Sequence, residues 1–329
     1  MDTKSKNINE ESIFQEEIKK SNKKGRKMTT AKLVIIVKIL LTIILIGTIC
    51  AITLIIYLFK GDVKAKVPGY VKKEYNLNKY EVENRPIYVM NSKKGITNEL
   101  VIMYIHGGSY VGDLEKEHWK TCGDIVNKLG CTIILPDYPL TPKYNYKDTF
   151  NMMEALYKKV INKVDSAKFV VMGDSAGGGL ALALMQKMGE ENIKMPNQTI
   201  LISPWLDVRM NNPEIEKISK NDPMLNKSAL KLAGENYAGK DGINSYLVNP
   251  IEGPLDKIKN VSIFTGTYDI LNPDVKILKE RADQAGNKID IYETEKATHI
   301  WLLYKYKDKK NDKLVEEPYN KMIELLKNN

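Results

Sequence analysis

Five short apolar runs, each separated from the next by other patterns, restrict this fold more than any other feature. They are LVIMYI (100–105), CTIIL (131–135), KFVVM (168–172), QTILIS (198–203) and VSIFTG (261–266). None alternates with polar residues, so each is predicted to be a strand buried on both faces. Helical spacing is found over 115–129, 147–163, 177–188 and 274–286. Strands alternating with helices predict an α/β fold, with a mostly parallel sheet covered by helices on both faces. Such a sheet places ligands beyond the carboxyl ends of its strands. One segment interrupts the alternation: 207–250 is rich in Asn, Lys, Pro and Gly, with a helical piece at 226–237. An insertion of that length between two strands is a candidate cap, and residues 61–80 are expected beside it.

The turn most suggestive of chemistry is GDSAGGG, 173–179, directly after KFVVM and opening a helical run. A tight strand-to-helix turn crowds the backbone around its central residue. Gly173 and Gly177 supply the room, and Ser175 is then lifted clear of the sheet at a helix N-terminus that favours developing negative charge. G-x-S-x-G alone is a weak signal, and its position after a buried strand is what gives it weight. Asp174 is expected to order the turn.

A serine hydroxyl needs a base, and the base needs an orienting acid. The chain has three histidines, His106, His118 and His299. His118 lies in the helical pattern EKEHWKTCGDI and is expected at the surface. His106 opens HGGSY straight after a strand and reads as a scaffold for that loop. The order serine, acid, histidine selects His299 as the base. Asp269, just past VSIFTG, is the expected acid; Asp207 and Asp274 are its rivals. Gly107 and Gly108 of HGGSY, with Ala176 after the serine, are expected to supply amides for an oxyanion.

Net charge is +9, but it is not spread over the chain. Residues 1–32 carry nine Lys or Arg against five acids, residues 60–73 carry five Lys against one acid, and 74–329 balance at 35 each. Nothing in that balance points to nucleic acid. The excess flanks ILLTIILIGTICAITLIIYLF, 39–59, whose 21 uncharged residues match the ~30 Å hydrocarbon core of a bilayer. The expectation is a disordered basic tail over 1–30, a membrane anchor over 31–59 and a folded domain over 61–329. The lysine bias puts the N-terminus in the cytoplasm and the domain outside. Three cysteines are too few for a disulfide framework, and Cys122 and Cys131 read as thiols.

HGGSY (106–110), DYPLTP (137–142), GDSAGG (173–178), SPWLD (203–207) and TYDIL (267–271), with His299 near the end, together resemble the hormone-sensitive-lipase-like branch of the α/β-hydrolases. The match spans about residues 70–325. The resemblance implies an esterase acting on small acyl esters, with Ser175, Asp269 and His299 as its triad and no metal or organic cofactor. It implies a cap of N-terminal and inserted helices. Three positions depart from the family: Ser109 stands where a third glycine is usual, and where DYRLAPE is usual Pro139 replaces the arginine and Lys143 the glutamate. The anchor is similar in arrangement to that of arylacetamide deacetylases. Rival readings are an amidase or glycan deacetylase using the same residues, and a tethered binding protein without chemistry. Oligomeric state is not legible.

Overall fold

The computed structural model describes residues 64–304 and 312–329, together with Glu16. The apolar stretch 39–59 and the anchor reading of 31–59 lie outside the described residues, as does the basic tail apart from Glu16. Among the described residues no helix is long and apolar enough to cross a membrane.

Eight strands form one sheet: β1 (Tyr75–Val82), β2 (Arg85–Ser92), β3 (Val101–Ile105), β4 (Thr132–Pro136), β5 (Phe169–Asp174), β6 (Gln198–Ile202), β7 (Val261–Gly266) and β8 (Ile289–Thr294). Their order is β1-β2-β4-β3-β5-β6-β7-β8, antiparallel at β1–β2 and β2–β4 and parallel from β4 onward. Among residues 64–304 and 312–329 the helices are α1 (Gly69–Glu74), α2 (Lys116–Leu129), α3 (Tyr146–Ile161), α4 (Ser175–Glu190), α5 (Glu214–Ile218), α6 (Lys227–Ala238), α7 (Asn272–Gln284) and α8 (Asp312–Lys327).

Side-chain alternation along the central strands builds two cores. Met103 and Ile105 of β3, with Phe169 and Val171 of β5, face the layer of α3, α4 and α7. Ile102, Tyr104, Val170 and Met172 face the layer of α2 and α8. Because both faces are covered, neither set tolerates a polar residue, which is why these strands read as unbroken apolar runs.

The five predicted strands and the helices between them fall where the apolar runs and helical spacing place them. Three of the eight strands, β1, β2 and β8, are not among those that the five apolar runs mark. β1 (YNLNKYEV) is mostly exposed and β8 (IDIYET) half-covered, so neither has an apolar run to announce it. In α8, Pro318 reads as a helix breaker, yet Val315, Tyr319, Met322, Ile323 and Leu326 keep one stripe buried. A correction also falls on the cap. Residues 75–80, expected beside the insertion, instead pair with β2 as an edge strand. The insertion itself, between Ile202 and Val261, carries α5 and α6, and Leu230 and Tyr237 of α6 join the core on the α4 side of the sheet.

Candidate active site

Parallel strands in register deliver their C-terminal residues to one end of the sheet. Ile105 pairs with Gly173, Asp174 with Ile202 and Gly266 with Thr294. The loops that follow β3, β5, β7 and β8 therefore converge, and they carry His106, Ser175, Asp269 and His299.

Ser175 begins α4 with φ +51°, a left-handed conformation that costs a residue with a side chain about 1 kcal/mol or more. Its neighbours permit it. A Cβ on Gly173 would collide with the Gly177 carbonyl, and one on Gly177 with the carbonyl oxygens of Ile105 and His106. The amide of Trp205 donates to the Ser175 carbonyl at 2.9 Å, fixing the turn from the far side.

His299 Nε2 lies 2.9 Å from Ser175 Oγ, and His299 Nδ1 lies 2.9 Å from Asp269 Oδ2. The second contact fixes the tautomer: Nδ1 donates to the carboxylate, leaving Nε2 to accept from the hydroxyl. The other Asp269 oxygen accepts the Leu271 amide at 2.9 Å. The histidine loop is laced to the turn after β7 by Tyr268 N–H to the Ala297 carbonyl and Lys296 N–H to Thr267 Oγ1. The Ile300 amide donates to Ser203 Oγ at 3.1 Å, past the end of β6. Burial opposes charge on His299, but the Asp269 carboxylate, with Asp222 and Asp174 further off, outweighs it and holds its pKa above the usual value. Ser175 and His299 are only 4% and 3% exposed, so access to the hydroxyl is narrow.

The rivals for the acid stand elsewhere. Asp207 pairs with Arg209 at 2.8 Å, and Asp274 accepts from Asn212 Nδ2 at 2.8 Å in the first turn of α7.

Beside Ser175 the HGGSY loop curls through three residues of positive φ: Gly108 at 108°, Ser109 at 54° and Tyr110 at 62°. The Gly107 amide, expected to face a substrate oxygen, instead donates to Asp174 Oδ1 at 3.1 Å. Among the described residues the amides of Gly108, Ser109 and Ala176 donate to no acceptor. Ser109 thus keeps its N–H in play although it replaces the usual glycine.

A second correction concerns His118. Expected at the surface, it is 4% exposed. Its Nδ1 accepts the Glu115 amide at 2.9 Å, so its proton sits on Nε2, 3.3 Å from Asp174. The sequence carried a signal for this. His118 stands four residues before Cys122 and seven before Ile125, on the apolar stripe of α2. Asp174, fully buried, also accepts from Tyr104 Oη at 2.9 Å. Burial alone would raise its pKa, but His118 and Tyr104 outweigh that and keep it below the usual carboxylate range.

His106 does serve its loop. Its ring stacks on Tyr138 at 4.3 Å, and Nδ1 donates to the Gly107 carbonyl at 2.7 Å. Burial drives its pKa down to about 3, so it stays neutral and is no proton shuttle near neutrality. Tyr138 Oη closes the circuit by donating to the His106 carbonyl at 2.7 Å. In DYPLTP, where Pro139 displaces the usual arginine, Arg85 of β2 reaches Asp137 at 3.0 Å from within the core. Cys122 and Cys131 are buried free thiols. Among the described residues no three His, Cys, Asp or Glu side chains are grouped to hold a metal.

The sheet is that of an α/β hydrolase, and the site brings a serine, a histidine and an aspartate into one hydrogen-bonded line. The chain belongs to the alpha/beta hydrolase fold family, whose profile matches residues 102–303. It is 28% identical over 191 residues to an esterase of Acinetobacter venetianus, covering 57% of this chain and 63% of that protein. It is 24% identical to an acetyl-hydrolase of Streptomyces hygroscopicus, covering 62% of this chain and 68% of that one. A solved structure from Staphylococcus aureus superposes with TM-score 0.72 at 26% identity, over 79% of this chain and 87% of the other. An esterase structure from the bacterial hormone-sensitive lipase family gives TM-score 0.68 at 21% identity over 80% and 86%, a likeness of fold alone. These comparisons support the class of serine carboxylic ester hydrolases.

Proposed function

We propose that this protein is a membrane-tethered serine carboxylesterase acting on short-chain acyl esters. One observation carries the reading: a buried imidazole bridging a hydroxyl and a carboxylate at 2.9 Å each, beside unclaimed amides. Ser175 Oγ attacks the ester carbonyl while His299 Nε2 takes its proton. The oxyanion is held by the N–H groups of Gly108, Ser109 and Ala176. The imidazolium, steadied by Asp269, returns the proton to the departing alcohol. Water then adds to the acyl-enzyme by the same route and frees the acid. The near-complete burial of Ser175 supports acetyl to butyryl groups over long chains. The tether rests on the apolar stretch 39–59 and its flanking lysines, with the N-terminus cytoplasmic and the catalytic domain on the other side.

Membranes sedimented from cells expressing the full chain test this reading. A fluorophosphonate probe is expected to label the protein at Ser175 in the pellet, and p-nitrophenyl esters to be cleaved best at two to four acyl carbons. Label confined to the supernatant would remove the tether; no label anywhere would remove the nucleophile. Preferential release of acetate from acetylated sugars or aryl amides would favour the deacetylase or amidase reading, to which the acetyl-hydrolase relative gives some support.

Turnover needs His299 neutral in the free enzyme. Its pKa is raised above 6.5, so kcat/KM is expected to fall on acidification along a one-proton limb centred above that value. A limb centred below 6.5 would contradict the buried Asp269–His299 contact.

A further inference from the structure

Asp222 belongs to the cap, between α5 and α6, and is 8% exposed. Its Oδ1 accepts the amides of Met224 and Leu225 at 2.8 and 3.0 Å, a local bracket that starts the descent into α6. Its Oδ2 leaves the cap and accepts the amide of Ile270 at 3.0 Å. Ile270 directly follows Asp269. The two amides after the triad acid are therefore held by two different carboxylates: Leu271 by Asp269 itself and Ile270 by Asp222. Without Asp222 the buried Ile270 N–H has no acceptor, and the turn that aims Asp269 loses its outer support.

We propose that Asp222 is a positioning residue that clamps the cap to the turn bearing Asp269, so that docking of the cap and alignment of the acid on His299 are one event. This rests on the esterase reading of the site. Asp222 makes no hydrogen bond to His299; it reaches the acid through the backbone amide of residue 270, and its charge acts on the imidazole from further off. The cap thereby sets the aim of the proton relay as well as the shape of the pocket. A cap displaced from this position releases the Ile270 amide and loosens the acid, so turnover is coupled to cap closure.

Asp222→Asn separates the two halves of the contact. The carboxamide keeps one acceptor oxygen for Met224 and Leu225, and its NH2 group then faces the Ile270 N–H, donor against donor. With p-nitrophenyl acetate and the full-length protein, kcat is expected to fall about tenfold with KM within about twofold, as for misalignment of a catalytic group rather than loss of binding. The groups facing His299 are Asp269 from the turn after β7, Asp174 from the end of β5 and Asp222 from the cap. Weakening the first and neutralising the last both remove support for the imidazolium, so the acid limb of kcat should move to lower pH.

A double-mutant cycle isolates the route. If Asp222 works through Asp269, Asp222→Asn costs nothing further in an Asp269→Asn background. Equal cost in both backgrounds, or wild-type kcat with an unmoved acid limb, overturns the proposal. Should Asp222→Asn fail to fold, Asp222→Ser carries the same test, because its hydroxyl accepts locally but is too short to reach Ile270. Failure of both to fold would assign Asp222 to the architecture of the cap and overturn the positioning role. Ser175→Ala in the same assay keeps the two readings apart. If it remains active, the site assignment has failed; if it is dead while Asp222→Asn is unimpaired, only the clamp has failed.

Discussion

Ser175→Ala is expected to lower kcat on short p-nitrophenyl esters by about 10,000- to 1,000,000-fold, and His299→Ala to do nearly as much. The double variant should be little worse than either single one. The reason is the 2.9 Å contact between His299 Nε2 and Ser175 Oγ. A hydroxyl is a poor nucleophile until its proton has somewhere to go, and the imidazole has nothing to accept once the hydroxyl is gone. The two groups supply one step between them, so their contributions do not multiply. KM should change far less than kcat, because neither side chain is needed to hold the ester in its ground state. Residual turnover from the amides of Gly108, Ser109 and Ala176 should persist in all three variants. Multiplicative losses, or an active Ser175→Ala enzyme, would mean that chemistry passes through another group.

Asp174→Asn is expected to cost about 100- to 1,000-fold in kcat, comparable to losing an oxyanion donor, although Asp174 contacts no substrate. Its carboxylate joins three elements: Tyr104 from β3, the Gly107 amide and His118 from α2. His118 cannot adapt to a carboxamide. Its Nδ1 is occupied by the Glu115 amide, so Nε2 must stay a donor, and of the two Asp174 oxygens at 3.3 and 3.4 Å it would lose one to an NH2 group. The Gly107 anchor then shifts, and the Gly108 and Ser109 amides move away from where the oxyanion forms. Binding of a trifluoromethyl ketone, which carries the tetrahedral oxyanion, should weaken in step with kcat, while KM holds. Parallel loss of KM and kcat, or a lowered melting temperature with normal kcat in the surviving fraction, would reduce Asp174 to a structural residue.

Much of this site was legible without coordinates. Ser175 announced itself because a glycine turn after an apolar strand is a local pattern, written in adjacent residues. His299 and Asp269 followed from scarcity and order, with three histidines to choose among and Asp269 set ahead of Asp207 and Asp274 by its place just past the buried run VSIFTG. Local sequence is silent where a residue's partner lies far along the chain. His118 meets Asp174 across 56 positions and Asp222 meets Ile270 across 48, and nothing near either residue names its partner. Gly107 was misassigned for a related reason. The loop motif shows that amides are accessible, but not that Asp174, 67 residues on, has already claimed one. β1 and β8 were missed because an edge strand buries too little apolar surface to mark its sequence.

The sequence by itself determined the five central strands with the helices between them, the sharp turn at Ser175 and the three side chains that do the proposed chemistry. These follow from hydrophobic periodicity and from glycine's lack of a Cβ, which act within a few residues. Only the tertiary structure decided which amides remain free for an oxyanion, which buried carboxylates hold the loops, and that the cap grips the turn of the acid. Those outcomes depend on contacts of about 3 Å between distant segments, and a side chain reaches that far only after the sheet has brought the segments together.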